Sequence, residues 1–268
     1  MFAIHYSHVR THFKTTSMNR RDMLKVTGAA IAGTSIFGTR AFAGNTPDSE
    51  TPSKMPKVLV IGAHPDDPET CCGGTIITLK NAGYEVVVAY MTKGQSGVKG
   101  KSHEEAAAIR TQECLNACEV MGVRSIFLSQ VGGYSEINVE KYDEMRELII
   151  QEAPDIVFTH WTLDLHRDHR VCSCLVLEAW KRLKYKFELY FFEPMTGAQA
   201  QLFHPTDYID ITDVADQKRK ACDCHVSQGM DAIYANWHDH MEGFRGCEHH
   251  CKKAEAFIHL RRTGSDIL

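Results

Sequence analysis

The sequence Lys57-Val-Leu-Val-Ile-Gly62 runs directly into Ala63-His64-Pro65-Asp66-Asp67-Pro68-Glu69, and this junction decides the fold. The first six residues are mostly apolar and β-branched, which is typical of a strand buried on both faces of a sheet. The second stretch brings an imidazole and several carboxylates to the end of that strand. Because ligands bind outside the carboxyl ends of parallel strands, we expect a functional site at this junction.

Further strand-like and helix-like segments alternate along the chain. Strands are predicted at 84–92, 124–128, 155–159, 188–192 and 208–211, and helices at 73–82, 102–121, 139–152, 168–183 and 212–226. This alternation is typical of parallel βαβ units. We therefore predict a single α/β domain over residues 57–268, with a Rossmann-like, mostly parallel sheet and helices on both faces.

A second polar cluster follows the fourth predicted strand. The sequence His160-Trp-Thr-Leu-Asp-Leu-His-Arg-Asp-His169 holds three histidines and two aspartates in ten residues. Zinc in catalytic sites takes three ligands of the His, Asp or Glu type and keeps a fourth position for water. His64, Asp67 and His169 would supply such a set, with Asp66 left unligated beside the metal. A turn or a solvated polar loop is the alternative interpretation of either motif alone.

Together, His64-Pro-Asp-Asp67 and His160-x-x-Asp-x-His-x-Asp-His169 resemble the motifs of the zinc-dependent PIG-L/LmbE-like N-deacetylases, typified by N-acetylglucosaminyl-phosphatidylinositol de-N-acetylase. Supporting matches are Gly73-Gly74, Arg110-x-x-Glu113, His225-x-Ser-Gln228 and Ala254-Glu-Ala-Phe257. The chain departs from the family's pattern in having Pro68 between the paired aspartates and Glu69. The resemblance implies a metal-dependent hydrolase that removes an acetyl group from an N-acetylated amino sugar or glycoconjugate.

The same resemblance implies roles for the residues of the first motif and for the last histidine of the second. His64, Asp67 and His169 would bind one Zn²⁺ ion per chain, with another divalent metal as the alternative. Asp66 would act as the general base on a zinc-activated water molecule. His160 and Asp164 are candidates for contacts behind the metal ligands.

Two further residues take roles from the resemblance, and a third, Arg110, is a candidate for substrate binding. His166 would stabilise the tetrahedral intermediate or protonate the leaving amine, and Asp168 would orient the His166 imidazole. Arg110 would contact a substrate hydroxyl or phosphate at the mouth of the site. The alternative for Arg110 is a surface salt bridge with Glu113 or Glu105.

Other functions remain open from the residues. An amidohydrolase acting on another small N-acyl substrate would use the same chemistry, and a sugar-binding protein with a vestigial site would keep the fold. A dinucleotide-binding enzyme is disfavoured because the first strand leads into Gly62-Ala-His-Pro65 rather than into a glycine-rich phosphate turn.

The first 43 residues resemble a twin-arginine export signal. Arg20-Arg21 precedes a moderately apolar stretch at 26–37, and Ala41-Phe42-Ala43 offers small residues for a signal peptidase. A basic amphipathic helix is the alternative interpretation. We predict an export signal at 1–43, a flexible leader at 44–56, the twin-arginine translocase as a partner, and a periplasmic or extracellular location.

Charge and composition exclude several classes of protein. The 268 residues are 43% hydrophobic with a formal net charge of −4. The segment 1–43 holds six of the 30 Lys and Arg and one of the 34 Asp and Glu, so the remaining chain carries −9. Such a charge leaves no general nucleic-acid-binding surface. No apolar run reaches the roughly 18 residues of a membrane span.

The ten cysteines could form disulfides or remain buried thiols.

Overall fold

The computed structural model describes residues 55–261. The predicted export signal at 1–43 and most of the predicted leader at 44–56 lie outside the described residues. Within the described part of the chain, no helix is long and apolar enough to cross a membrane.

The described residues form seven strands and seven α-helices that alternate through the first two thirds of the fold. The strands are β1 (Lys57–Gly62), β2 (Glu85–Thr92), β3 (Arg124–Gln130), β4 (Ile156–His160), β5 (Glu188–Phe192), β6 (Asp207–Asp210) and β7 (Ala254–Leu260). The helices are α1 (Asp67–Asn81), α2 (His103–Met121), α3 (Val139–Glu152), α4 (Arg167–Arg182), α5 (Ala215–Asp223), α6 (Met230–Ile233) and α7 (Asp239–His249). Short 3₁₀ turns lie at Thr212–Val214 and Val226–Gln228, and a π-helical turn at Tyr234–His238 joins α6 to α7.

The seven strands form one sheet in the order β3-β2-β1-β4-β5-β7-β6. The first five strands are parallel, with Leu59 of β1 opposite Val87 of β2 on one side and Val157 of β4 on the other. β7 pairs antiparallel with both β5 and β6. The prediction of a single α/β domain with a mostly parallel sheet is confirmed.

Helices cover both faces of this sheet. On one face, α3 and α4 pack against each other and bury a cluster that includes Leu59 and Ile61 of β1. On the other face, α1 lies against β1 and β2, and α2 and α5 pack against α1. Successive residues of a strand point to opposite faces, so the continuous apolar run of β1 supplies both layers.

Several element boundaries differ from the prediction, and the largest difference is at α1. This helix begins at Asp67 rather than Gly73. Pro68 fits the first helical turn, and the Glu69 side chain accepts the N–H of Asp66 at 3.2 Å, so the segment read as a turn is already a capped helix. The predicted helix at 212–226 is wrong in extent, because it breaks into a 3₁₀ turn, α5 and a second 3₁₀ turn.

The strand order places the two polar motifs opposite each other. From β1 the chain builds outward through β2 and β3, and it then returns to add β4 on the other side of β1. Such a reversal opens a crevice at the carboxyl ends of the two central strands. The first motif follows β1 and the second follows β4, so both enter this crevice.

Candidate functional site

Two short segments supply the polar side chains of the crevice. The segment between β1 and α1 carries His64, Asp66 and Asp67. The segment from the end of β4 into α4 carries His160, Asp164, His166, Asp168 and His169. Because β1 and β4 are parallel neighbours, both segments leave the sheet at the same edge. The structure therefore brings all of these side chains together.

The three predicted metal ligands present their donor atoms to one another. Nδ1 of His64 lies 3.3 Å from Oδ2 of Asp67, and Nε2 of His169 lies 3.2 Å from Oδ1 of Asp67. The two ring nitrogens are 3.3 Å apart. Two ligands that each lie about 2.0–2.1 Å from a tetrahedral zinc ion are separated by about 3.3–3.4 Å. The donor types and their spacing therefore fit a zinc ion.

His160 is a further imidazole beside the same carboxylate. It is fully buried, stacks on His169 with 3.9 Å between the ring centroids, and has its Nε2 3.1 Å from Oδ2 of Asp67. Asp67, His160 and His169 also lie close enough together to hold a metal. The N–H of Ala63 donates to Nε2 of His160 at 3.0 Å, so the lone pair that a metal would need is engaged. His64 is therefore the better third ligand.

The electrostatics of the ligand group favour a cation. Burial opposes ionisation of Asp67, yet His169 and His160 hold the pKa of its carboxyl well below the usual range. Burial alone would lower the pKa of His169, but Asp67 and Asp164 outweigh it and raise that pKa to about 10. Burial, reinforced by His169, lowers the pKa of His160 to about 4. Asp67 is thus a buried anion that attracts positive charge.

Asp164 orients His169, a predicted ligand. Its Oδ2 lies 3.0 Å from Nδ1 of His169, and the carboxylate is buried. Gln199, in the segment between β5 and β6, donates from Nε2 to Oδ1 of Asp164 at 3.1 Å. A ligating histidine usually donates its other N–H to such an acceptor, which fixes the ring orientation. Sequence reasoning missed Gln199, since it lies outside both motifs.

Asp168 does not orient His166 as predicted. Its Oδ2 lies 3.0 Å from Nε2 of His64 and accepts the N–H of Gly133 at 2.6 Å. Burial opposes ionisation of Asp168, but these two contacts lower the pKa of its carboxyl. The prediction failed because side chains two residues apart at a helix start do not face each other. Asp168 instead orients His64, a predicted ligand.

His166 occupies the solvent side of the centre, at the start of α4. Its Nδ1 accepts the N–H of Asp168 at 3.2 Å, and its ring centroid lies 4.8 Å from that of His64 and 4.5 Å from that of His169. Burial and these two histidines lower the pKa of His166. A neutral ring that accepts at Nδ1 carries its proton on Nε2. His166 thus offers a hydrogen-bond donor beside the ligand group.

Asp66 stands apart from the ligand group and pairs with Arg110. Its backbone has φ 115° and ψ −28°, a positive-φ conformation that costs about 1–3 kcal/mol for a residue with a side chain. Nη2 of Arg110 donates to Oδ2 of Asp66 at 2.8 Å and also to the carbonyl of Pro65. Burial raises the pKa of Asp66, and Arg110 opposes that rise. A carboxylate outside the predicted ligand group therefore lies next to Asp67.

Arg110 is buried rather than exposed at the surface. The surface salt bridges considered for it are wrong, since Glu113 accepts hydrogen bonds from Ser227 and Glu105 caps Ser102. The guanidinium of Arg110 lies against Gly94 and Gly97 of the loop at 93–101. One of its nitrogens, Nη2, already donates to Asp66. A contact between Arg110 and substrate stays a prediction.

All ten cysteines are free thiols in the structure. Cys114 and Cys118, one turn apart on α2, lie with Glu69 in a further buried group whose ligand atoms are within 4.8 Å of one another. Burial raises the pKa of the Cys114 thiol far above its ordinary value. Tyr90 donates to Glu69 at 2.6 Å, so this carboxylate has a partner within the core.

With the geometry established, the chain can be compared with known proteins. Residues 59–180 match the family model described as GlcNAc-PI de-N-acetylase, PIG-L. The diacetylchitobiose deacetylase of Thermococcus kodakarensis is 30% identical over 199 residues, which cover 69% of this chain and 74% of that protein. The chain belongs to the PIG-L family. The matched region contains both motifs and all of the predicted site residues.

Two further relatives show the range of proteins to which this chain is similar. A probable N-acetyl-alpha-D-glucosaminyl L-malate deacetylase 2 of Bacillus cereus is 31% identical, covering 64% of this chain and 83% of its own. A 4-oxalmesaconate hydratase of Pseudomonas putida is 25% identical, covering 66% of this chain and 75% of its own. Because one relative is a hydratase, the reaction has to be argued from the site.

The solved structures agree with this assignment of the fold. The N,N'-diacetylchitobiose deacetylase of Pyrococcus horikoshii superposes with a TM-score of 0.67 at 27% sequence identity, covering 76% of this chain and 83% of that one. Most of the described domain is therefore shared between the two proteins.

Proposed function

We propose that this protein is a zinc-dependent deacetylase that hydrolyses the acetamide of a small N-acetylated amino sugar or glycoconjugate. One observation carries the proposal: a ring nitrogen of His64 and one of His169 lie 3.3 Å apart, each 3.2–3.3 Å from a different carboxylate oxygen of Asp67, while Asp66 stays outside the group. Three ligands with one open position and a neighbouring free carboxylate suit a metal-assisted hydrolysis.

In the proposed reaction the metal would activate the carbonyl and the water, and side chains of the protein transfer the protons and stabilise the developing negative charge. A zinc ion held there would act as a Lewis acid on the amide carbonyl and would lower the pKa of a water molecule toward about 7. Asp66, paired with Arg110 and unligated, takes the proton from the attacking water. His166 donates its Nε2–H to the oxygen on which negative charge develops, a contact whose removal costs about 3–4 kcal/mol in related oxyanion sites.

The leaving amine needs a proton before the C–N bond breaks. The proton that Asp66 gains from water is available for this step, and His166 is a second donor on the solvent side of the centre. Asp164 and Asp168 hold the rings of His169 and His64 during the reaction. Water supplies the acetate oxygen, so the products are acetate and the free amine.

The substrate class rests on the relatives. Two of them are named for the deacetylation of diacetylchitobiose and of an N-acetylglucosaminyl malate. We propose the same class here, an N-acetylated amino sugar with a free or small aglycone. An amide of another small acyl amine would need the same metal and base, and it is the second substrate class to test.

The decisive experiment combines metal analysis with product detection. The purified protein is assayed for zinc by mass spectrometry, and for acetate and free amine released from N-acetylglucosamine, diacetylchitobiose and N-acetylglucosaminyl malate. We expect one zinc per chain and equal amounts of acetate and amine from at least one compound. Bound zinc without acetate from these sugars or from a panel of simple N-acyl amines would contradict the proposal and favour a sugar-binding protein.

We also propose that residues 1–43 direct export through the twin-arginine translocase, which would place the mature protein in the periplasm or outside the cell. The paired Arg20 and Arg21 and the Ala41-Phe42-Ala43 sequence support this. N-terminal sequencing of the exported protein is expected to begin at Gly44, and Arg20→Lys with Arg21→Lys should retain the protein in the cytoplasm. A mature chain that keeps residues upstream of Gly44 would contradict the cleavage.

A further inference from the structure

Two sequence motifs contain residues that have no role in the site described so far. They are Arg110-x-x-Glu113 on α2 and His225-x-Ser-Gln228, which forms the turn after α5. The second motif is here called the 225–228 turn. The side chains of His225, Ser227 and Gln228 contact Glu69, Glu113 and Gly97. Each of these contacts bears on Asp66 or on its partner Arg110.

The first contact runs from His225 through Glu69 to the backbone of Asp66. Nε2 of His225 lies 3.3 Å from Oε1 of Glu69, and both side chains are fully buried. The other oxygen of Glu69 accepts the N–H of Asp66 at 3.2 Å. Tyr90 donates to Oε1 of Glu69 at 2.6 Å, and His225 adds an ion pair with the same oxygen on the side away from Asp66.

The second contact runs from Ser227 to the helix that carries Arg110. The N–H and the Oγ of Ser227 both donate to the Glu113 carboxylate, at 2.6 and 2.7 Å. Glu113 lies three residues after Arg110 and therefore on the same face of α2. Ser227 thus holds the turn of α2 from which Arg110 reaches the carboxylate of Asp66.

The third contact runs from Gln228 to the loop that covers Arg110. Nε2 of Gln228 donates to the carbonyl of Gly97 at 3.1 Å. A Cβ at Gly94 or at Gly97 would come within 2.5 Å of Nη1 of Arg110, so only glycine lets this loop close over the guanidinium. Gln228 therefore helps to keep the loop in place over Arg110.

We propose that the 225–228 turn positions Asp66, with Glu69 holding its N–H and Arg110 holding its carboxylate. The inference rests on the proposed function in taking Asp66 as the general base. Asp66 needs such support because its backbone has a positive φ of 115°, which an aspartate adopts only when its surroundings require it. Small displacements of a catalytic group lower turnover strongly, so the turn acts on the rate without touching substrate.

Steady-state kinetics of the zinc-loaded protein test this role. Ser227→Ala removes a half-buried hydroxyl and is expected to fold, and His225→Gln keeps a polar side chain beside Glu69 but removes the imidazole and its ion pair. We expect kcat to fall by about 10–100-fold in each, as for residues that support a site from behind its ligands, while KM stays within about twofold. Zinc content should equal that of the wild type. Ser227→Thr, which keeps the hydroxyl, should restore most of kcat.

A double-mutant cycle identifies the partner of Ser227. Glu113→Ala should lower kcat at least as much as Ser227→Ala does, because it also removes the acceptor of the Ser227 N–H. The double variant should be no worse than Glu113→Ala alone, because that substitution already removes the contact of the Ser227 hydroxyl. His238→Gln is the matched control. Like His225, His238 is a buried histidine, but in the described part of the chain it has no hydrogen bond or ion pair with the 225–228 turn. Unchanged kcat in Ser227→Ala and His225→Gln, additive losses in the cycle, or an equal loss in His238→Gln would overturn the proposal.

A crystal structure of the zinc-loaded Ser227→Ala variant separates this inference from the proposed reaction. We expect the Arg110–Asp66 contact to lengthen or the φ of Asp66 to leave the positive region. An Asp66 that keeps its conformation and its Arg110 contact would overturn the positioning role. If the wild type releases no acetate from any substrate, the proposed function fails, and this structural comparison still decides the role of the turn.

Discussion

Asp66 and Asp67 are neighbours in the sequence, yet their carboxylates meet opposite surroundings. Asp67 lies among His64, His160 and His169, and His169 and His160 keep its pKa low against the effect of burial. For Asp66, burial raises the pKa, and Arg110 is the strongest of the charges that oppose this rise. One carboxylate is thus suited to hold a cation and the other to take up a proton. Adjacent residues acquire different roles because the left-handed backbone at Asp66 turns its side chain away.

This difference predicts opposite effects of two single substitutions. Asp66→Ala should keep one zinc per chain and lose at least about 100-fold in kcat, since it removes the base but no ligand. His169→Ala should lose zinc, because it removes one of three ligands. Metal content by mass spectrometry and acetate release check both variants. Zinc loss in Asp66→Ala, or full activity in either variant, would show that the roles are assigned wrongly.

His238 is a buried histidine in the π-helical turn before α7. Burial, reinforced by Lys218, lowers the pKa of His238 from 6.5 to about 4. Between these values the unfolded chain binds more protons, so the free energy of unfolding falls as the pH falls from about 6.5 to 4. Over this whole pH interval, the shift of the His238 pKa lowers the free energy of unfolding by about 3 kcal/mol.

His238→Gln should remove this contribution. Denaturation in urea at pH 7 and at pH 4.5 measures it, and the variant should lose less stability than the wild type over that interval. Other buried groups titrate in the same range, so the difference between the two proteins is the quantity to compare. Equal losses in both would mean that His238 is not held neutral in the fold.

At the scale of elements, the packing of α1 against the segment after β6 depends on Gly74. A Cβ at this position would come within 2.5 Å of Cγ2 of the fully buried Ile211. Gly74→Ala should therefore destabilise the protein by about 1–3 kcal/mol, as overpacking of a filled core does. Gly243 in α7 has no neighbour within 4 Å of its would-be Cβ. Gly243→Ala should be stabilising by about 0.5–1 kcal/mol, since alanine favours the helix.

Urea denaturation of the two alanine variants tests this pair of expectations. The midpoint should fall for Gly74→Ala and stay the same or rise for Gly243→Ala. If both variants behaved alike, the close approach of α1 and Ile211 would not limit the packing.

At the scale of the whole molecule, a buried ion network joins both ends of the domain. Nζ of Lys218 in α5 lies 2.7 Å from carboxylates of Glu242 in α7 and of Glu255 in β7. Glu255 also accepts the N–H groups of Gly74 and Thr75 in α1. The last strand and the last helix are thereby tied to the first helix.

Lys218→Met is expected to destabilise the protein by about 3–5 kcal/mol, because it leaves two buried carboxylates without their shared cation. The control is Arg182→Met, which breaks an exposed pair with Glu178 on α4 and should change stability by less than about 1 kcal/mol. Both are measured by chemical denaturation at pH 7. A Lys218→Met variant as stable as the control would show that the network contributes little.

Much of the fold and of the site could be predicted from local signals. The strands up to β5 follow from continuous apolar runs, and α2 begins at the capping box of Ser102 and Glu105 as expected. β7 and the helical stretch from Met230 to His249 were not predicted. β7 joins the sheet as an antiparallel strand between β5 and β6, and such pairing depends on residues distant in the sequence.

By itself, the sequence determined the alternation of strands and helices and the residue types at two strand ends. Both are local properties, set by apolar periodicity and by the spacing of ligand-type side chains. Only the tertiary structure decided that Asp168 holds His64, that Arg110 holds Asp66, and that the 225–228 turn lies behind them. Each of these contacts joins residues more than 40 positions apart, so it depends on how strands order in the sheet and how helices pack upon it.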